Sequence, residues 1–245
     1  AGETVTVELG TIDAGPSGAE DPAEAYDWTL ELPDGRKLEK PGNLFHSLLE
    51  PAVWGTLPEF TGLAVDLNGD GQIVTGEALP EANLFKAAAH ALSDAAGQMQ
   101  AAVQAWSPTR EDAFTALAVM IPTMNEYFEQ WKLSAFVSGE AAGETAFVGV
   151  SRLFDVNGIL QGLALTYANL SPLVAASDAA LDAQIQSGFD SLTGYVSDLY
   201  TREKGGERFS TEQADLYGSE AQERADALVG QVMQAAGLLT VEVAE

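Results

Sequence analysis

Residues 177–203 read SDAALDAQIQSGFDSLTGYVSDLYTRE, and Leu181, Ile185, Phe189, Leu192, Val196 and Leu199 recur in them three or four positions apart. That spacing matches the 3.6-residue period of a helix, so the six side chains form one apolar stripe. The other face carries mainly Asp, Gln, Ser and Thr, so the helix is amphipathic and has to bury its stripe against neighbours.

The pattern continues in both directions. After Lys204-Gly205-Gly206, Ser210 and Gln213 form a capping box that opens a last helix running to about Ala236. Thr240 to Val243 reads as a strand beside Thr4 to Leu9. Upstream, Thr145 to Asn169 reads as one long apolar helix, with Ser171-Pro172 starting a connection, and Gly139 to Gly143 is a break. Thr109 and Asp112 box another helix, which Pro122 kinks before Met124 to Val137. Glu81 to Trp106 is Ala-rich, with Leu84, Ala88, Leu92, Ala95, Met99 and Val103 on one stripe. About five long helices joined by short loops predict an all-α fold, an antiparallel helical bundle with a small strand-bearing N-terminal segment.

The first forty residues supply that segment. Thr4 to Leu9 and Trp28 to Leu32 alternate with period two, the second before the turn Pro33-Asp34-Gly35-Arg36, and an acidic Gly/Pro loop separates them. Leu44, Leu48, Leu49 and Val53 lie at helical spacing. The expected organisation is one domain over residues 1–245: a strand-bearing part to 40, a His-containing helix and a loop at 41–80, and the bundle at 81–238.

Composition narrows the function. Eleven Lys and Arg against 37 Asp and Glu give a net charge of −26, which repels phosphate backbones and anionic lipid, so nucleic acid is not an expected partner. There is no cysteine, which removes disulfides, thiolate nucleophiles and Cys-type metal sites together. The two histidines, His46 and His90, cannot build a multi-His centre. Polar residues interrupt the apolar runs, so membrane insertion is not expected. The chain opens on Ala1-Gly2-Glu3, small residues of the kind signal cleavage leaves, and a periplasmic or extracellular monomer is expected.

The most specific motif is Asp66-Leu67-Asn68-Gly69-Asp70-Gly71-Gln72-Ile73-Val74-Thr75-Gly76-Glu77, which fits the twelve-residue EF-hand calcium loop. Asp66, Asn68 and Asp70 offer side-chain oxygens, Gly71 permits the turn and Gln72 offers its carbonyl. Ile73 is expected to anchor the loop on apolar surface, and Glu77 to close the site as a bidentate carboxylate. Gly76 and Pro80 interrupt the exiting helix of a standard EF-hand, so the expected role of Ca²⁺ is to fasten two segments together.

Ile121-Pro122-Thr123-Met124-Asn125-Glu126-Tyr127-Phe128-Glu129-Gln130-Trp131-Lys132-Leu133-Ser134, with Phe147-Val148 and Ser151-Arg152-Leu153-Phe154-Asp155, resembles the algal iron-assimilation proteins, or phytotransferrins. These are relatives of the imelysin-like, EfeO-type periplasmic iron-uptake proteins. The resemblance is firmest from about residue 80 to 238, including Gln231-Val232-Met233-Gln234-Ala235-Ala236. It implies a helical bundle, export, and capture of iron for delivery to a membrane permease. Imelysin-like proteins carry Gly-x-His-x-x-Glu and then Leu-Trp. Here Phe45-His46-Ser47-Leu48-Leu49-Glu50 is followed by Val53-Trp54, so the glutamate stands four residues after the histidine. On a helix, positions four apart still share a face. The pair reads equally as a helix-surface histidine hydrogen-bonded to Glu50.

Chemistry points the same way. Glu126, Tyr127 and Glu129 crowd oxygen donors onto one kinked helix, and ferric iron favours carboxylate and phenolate oxygen. His46, Glu50, Glu126, Tyr127, Glu129 and Asp155 are the candidate iron ligands, for Fe³⁺ or Fe²⁺. Arg152 and Lys132 are the candidate anion holders, for a synergistic carbonate as the phytotransferrin resemblance implies, or serve as partners of buried carboxylates. Tyr167, Tyr195, Tyr200 and Tyr217 are further phenols that read first as interhelical packing residues. Two other functions compete with iron capture: a calcium-stiffened surface or adhesion module, and a zinc-dependent peptidase-like hydrolase. The chain has no HExxH helix and no Gly-x-Ser-x-Gly. The expectation is a binding protein, not an enzyme.

Overall fold

The computed structural model describes residues 28–40, 61–66, 69, 71–73, 77–139, 142 and 151–243. Thr4 to Leu9, the helix expected from Asn43, and the residues His46 and Glu50 lie outside them. The chain divides into two compact units, residues 1–107 and 108–245, so the boundary falls after the helix expected to open the bundle.

In the first unit, β1 (Trp28–Glu31) pairs antiparallel with β2 (Lys37–Lys40), with Leu30 opposite Leu38. The turn closes through Leu32 N–H to the Arg36 carbonyl at 2.8 Å. Leu30 and Leu32, two apart and therefore on one face, are buried with Leu84 and Ala88 of α1 (Ala82–Ala105). This contact is why α1 belongs with the hairpin. Its expected stripe is buried only near the N-terminus, and Val103 is exposed. A second pair, β3 (Thr61–Ala64) with β4 (Ala78–Pro80), is antiparallel and leads through Glu81, the N-cap, into α1.

The second unit is a helical bundle. Thr109 and Asp112 form the expected capping box on α2 (Arg110–Met120), and Pro122 sits in a 3₁₀ turn, Ile121–Thr123, that hands over to α3 (Met124–Leu133). The helix expected to reach Val137 stops at Ser134, whose hydroxyl donates to the Trp131 carbonyl and caps the single turn α4 (Ala135–Ser138). Helix α5 (Arg152–Ser177) runs through Pro172, contrary to the expected connection there. Leu170 and Val174, buried on either side of the proline, hold the helix together where one backbone bond is missing. The break comes at Asp178, a one-residue joint that N-caps α6 (Ala179–Lys204).

Helix α6 buries all six stripe residues of 177–203. It runs antiparallel to α5, since Phe154 lies against Tyr200 at one end while Tyr167 meets Asp182 towards the other. The expected capping box of Ser210 and Gln213 opens α7 (Thr211–Leu238), which returns along α6 and also packs on α3. Gly218 permits the approach to α3: a Cβ there would stand 3.2 Å from the Phe128 Cβ. The expected strand at Thr240 to Val243 does not form. Instead Thr240 has φ 55° and Val241 folds back, its N–H bonded to the Ala236 carbonyl at 2.9 Å.

Helix α5 carries no charge after Asp155, and by length and composition it is apolar enough to cross a membrane. Its stripe of Leu153, Val156, Leu160, Leu163, Tyr167 and Leu170 is buried in the bundle core. The sequence expectation that apolar runs are interrupted holds here only through uncharged residues such as Asn157 and Gln161.

Candidate functional site

The calcium motif sits between two strands, not two helices. Val65 N–H donates to the Glu77 carbonyl at 2.9 Å, so the neck of the β3–β4 hairpin draws the first and last positions of the motif together. Asp66 turns its carboxylate into the loop, where one oxygen accepts from Gly69 N–H at 2.6 Å and the other from Gly71 N–H at 2.8 Å. Gly69 and Gly71 have φ of 77° and 83°, a region open to glycine. Glu77 is buried. Ile73, expected to anchor the loop on apolar surface, is instead 52% exposed. Asn68 and Asp70 lie outside the described residues. The described donors, Asp66, the Gln72 carbonyl and Glu77, are hard oxygens of the kind Ca²⁺ takes, and fit that ion.

In the second unit, α3 and the first turn of α5 bring together three of the candidate residues. Ser151 caps α5 by accepting from Leu153 N–H at 3.2 Å. Arg152 follows it with a side chain only 6% exposed, and its Nη1 donates to Asp155 Oδ2 at 2.7 Å. The guanidinium lies 5.3 Å from the ring centre of Tyr127, which is buried on α3. A phenol, a carboxylate and a guanidinium thus meet at one place, with Asp155 reaching the surface. Glu126, half-buried, directly precedes Tyr127 on α3.

Glu129 and Lys132 belong to a different face. Lys132 Nζ bridges Glu129 at 2.5 Å and Asp215 of α7 at 2.8 Å, so its charge ties α3 to α7. Those two carboxylates, Asp215 first, hold its pKa above the ordinary value. The structure therefore separates the two expected anion holders, and leaves Arg152 beside Tyr127. Among the described residues, no group of three or more His, Asp and Glu side chains gathers to hold a metal.

The further phenols are packing residues. Tyr167 donates to Asp182 at 2.8 Å inside the bundle, and burial, then that carboxylate, raises its pKa. Burial likewise raises Tyr195, which donates to the Tyr217 carbonyl and lies under Arg224. Tyr217 accepts from Arg202, and Tyr200 lies beneath Lys204. With their pKa raised by burial, Tyr167 and Tyr195 hold their protons and are poor metal ligands.

Sequence reasoning missed Glu203. It accepts from the Trp131 indole Nε1 at 2.7 Å and is buried on α6. Its signal was present, because Glu203 continues the stripe four residues after Leu199, and a charge on a buried face needs a partner.

A family model described as Imelysin (Peptidase_M75) matches residues 56–238. That span includes the β3–β4 loop and the seven helices of the described residues. No curated protein and no solved structure matches the chain.

Proposed function

The chain belongs to the imelysin family, and from that premise we propose that it is an exported iron-binding protein that captures iron for cellular uptake. The family is associated with iron uptake and periplasmic proteins. The observation that carries the reading is the meeting of Tyr127, Arg152 and Asp155. Tyr127 and Asp155 supply phenolate and carboxylate oxygen to Fe³⁺, with Glu126 at hand. Arg152 offsets the negative charge of those ligands and holds a carbonate against them. In this reading a membrane permease receives the iron. Delivery of a cargo needs no covalent chemistry, so the protein works as a binder, although its family carries a peptidase's name.

Calcium has a separate task. Bound by Asp66, Asn68, Asp70, the Gln72 carbonyl and Glu77, it closes the hairpin that leads into α1 and stiffens the first unit. A negatively charged loop around a divalent ion also fits a salt-exposed setting.

Equilibrium dialysis of the purified protein against ferric and ferrous iron, with bicarbonate and saturating calcium, tests the proposal. Stoichiometric iron that Asp155→Ala weakens without unfolding the bundle supports it. No uptake of either ion at neutral pH overturns it and leaves the calcium-stiffened module as the better account.

A further inference from the structure

We propose that Glu203 is a positioning residue for the iron site, acting through Trp131 on Tyr127; this rests on the iron reading above. Leu181, Ile185, Phe189, Leu192, Val196 and Leu199 form the buried stripe of α6, and Glu203 occupies its next place with only 6% exposure. A carboxylate on such a face has lost much of its water and needs hydrogen bonds in return. The adjacent cations are engaged elsewhere: Arg202 with Glu207 at 2.7 Å, and Lys204 over the Tyr200 ring. The bond Glu203 does make crosses from α6 to α3, where its Oε1 accepts from Trp131 Nε1 at 2.7 Å.

That bond fixes more than itself. Trp131 is fully buried, with Phe128 and Phe209 edge-on to it at 5.7 Å and 5.4 Å between ring centres. An indole has a single N–H donor, so an acceptor at that point sets the orientation of the whole ring. With the ring set, the rotation of α3 about its axis is set too. Tyr127 stands four residues before Trp131, on the same face of the same helix. The rotation that Glu203 fixes therefore decides how the Tyr127 ring meets the Arg152 guanidinium, and through Arg152 where Asp155 is held. Phe209 and Tyr217, in edge-to-face contact at 5.6 Å, back the same corner from the start of α7.

The test uses the full chain labelled with 3-fluorotyrosine, the Tyr127 resonance being assigned by its loss in Tyr127→Phe. Glu203→Leu removes the acceptor, whereas Glu203→Gln keeps one. With Glu203→Leu the Tyr127 resonance shifts and ferric affinity falls by about tenfold or more, the size usual for losing an outer-shell partner of a metal ligand. Glu203→Gln returns both to near the wild-type values. An unmoved Tyr127 resonance in Glu203→Leu, or a Glu203→Gln protein that behaves like it, overturns the proposal. Where Glu203→Leu does not fold, Trp131→Phe deletes the donor, keeps an aromatic ring, and is read in the same way. If the wild-type protein binds no iron, the transport reading fails by itself, and the fluorine resonance alone decides whether Glu203 positions Tyr127.

Discussion

The Arg152 guanidinium faces the ring of Tyr127 at 5.3 Å while its Nη1 holds Asp155 at 2.7 Å. One buried cation thus links a residue of α3 to the first turn of α5. A guanidinium is planar and stays charged at every ordinary pH, so it serves both as a lid on the phenol ring and as a fork for an oxyanion.

If Arg152 holds a carbonate, Arg152→Leu makes iron binding independent of bicarbonate. Asp155 reaches solvent, so losing its partner costs the fold about 1–3 kcal/mol, less than for a fully buried pair. Iron titrations with and without bicarbonate check this. A variant that keeps the wild-type bicarbonate dependence places the anion elsewhere.

Calcium stabilises the first unit by binding the native state alone, which adds about 2.7 kcal/mol at a hundredfold excess over Kd. For a chain of this size that raises Tm by roughly 5–10 °C. Chelator removes the gain, and Glu77→Gln removes most of it. Coincident melting curves with calcium and with chelator contradict a structural calcium site.

Tyr167→Phe deletes the donor to buried Asp182, which keeps its bond from Gln186 at 2.7 Å. The expected loss is about 1–3 kcal/mol of stability with no change in iron affinity. Denaturant unfolding measures the first quantity and iron titration the second. A loss of iron binding without a loss of stability makes Tyr167 a ligand after all.

Acid acts through carboxyls that folding makes more acidic. Arg202 holds Glu207 below its ordinary value through paired bonds at 2.7 Å and 2.9 Å, and the Thr109 backbone N–H and hydroxyl do the same for Asp112. A carboxyl lowered in the folded state contributes stability above its unfolded pKa, and that contribution is lost as pH falls through the folded value. The stability profile therefore declines below about pH 4, and Glu207→Gln makes the decline shallower. An acid limb identical in wild type and Glu207→Gln contradicts the assignment.

Much of the fold was legible because period and caps act locally. The stripe from Leu181 to Leu199 and the boxes at Thr109 and Ser210 appear where the spacing puts them, and the kink expected at Pro122 takes the form of a 3₁₀ turn. Pro172 misled because a proline's local penalty was outweighed by packing at Leu170 and Val174, and no local rule counts tertiary contacts. The membership of α1 in the first unit was equally invisible, since Leu84 and Ala88 mark a buried stripe without saying what buries it. In the site, Arg152 with Asp155 was readable as neighbours three apart on a helix. The Trp131 to Glu203 bond spans 72 positions, and only the interrupted stripe of α6 hinted at it.

The most direct measurement is a visible-absorption titration of the wild-type protein and Tyr127→Phe with ferric iron, in bicarbonate with calcium saturating. A phenolate bound to Fe³⁺ gives a charge-transfer band, so the account predicts a coloured wild-type complex that bleaches in mild acid and a Tyr127→Phe protein that stays colourless while remaining folded. A wild-type protein that develops no band, or a Tyr127→Phe protein with the same band, contradicts iron capture at Tyr127.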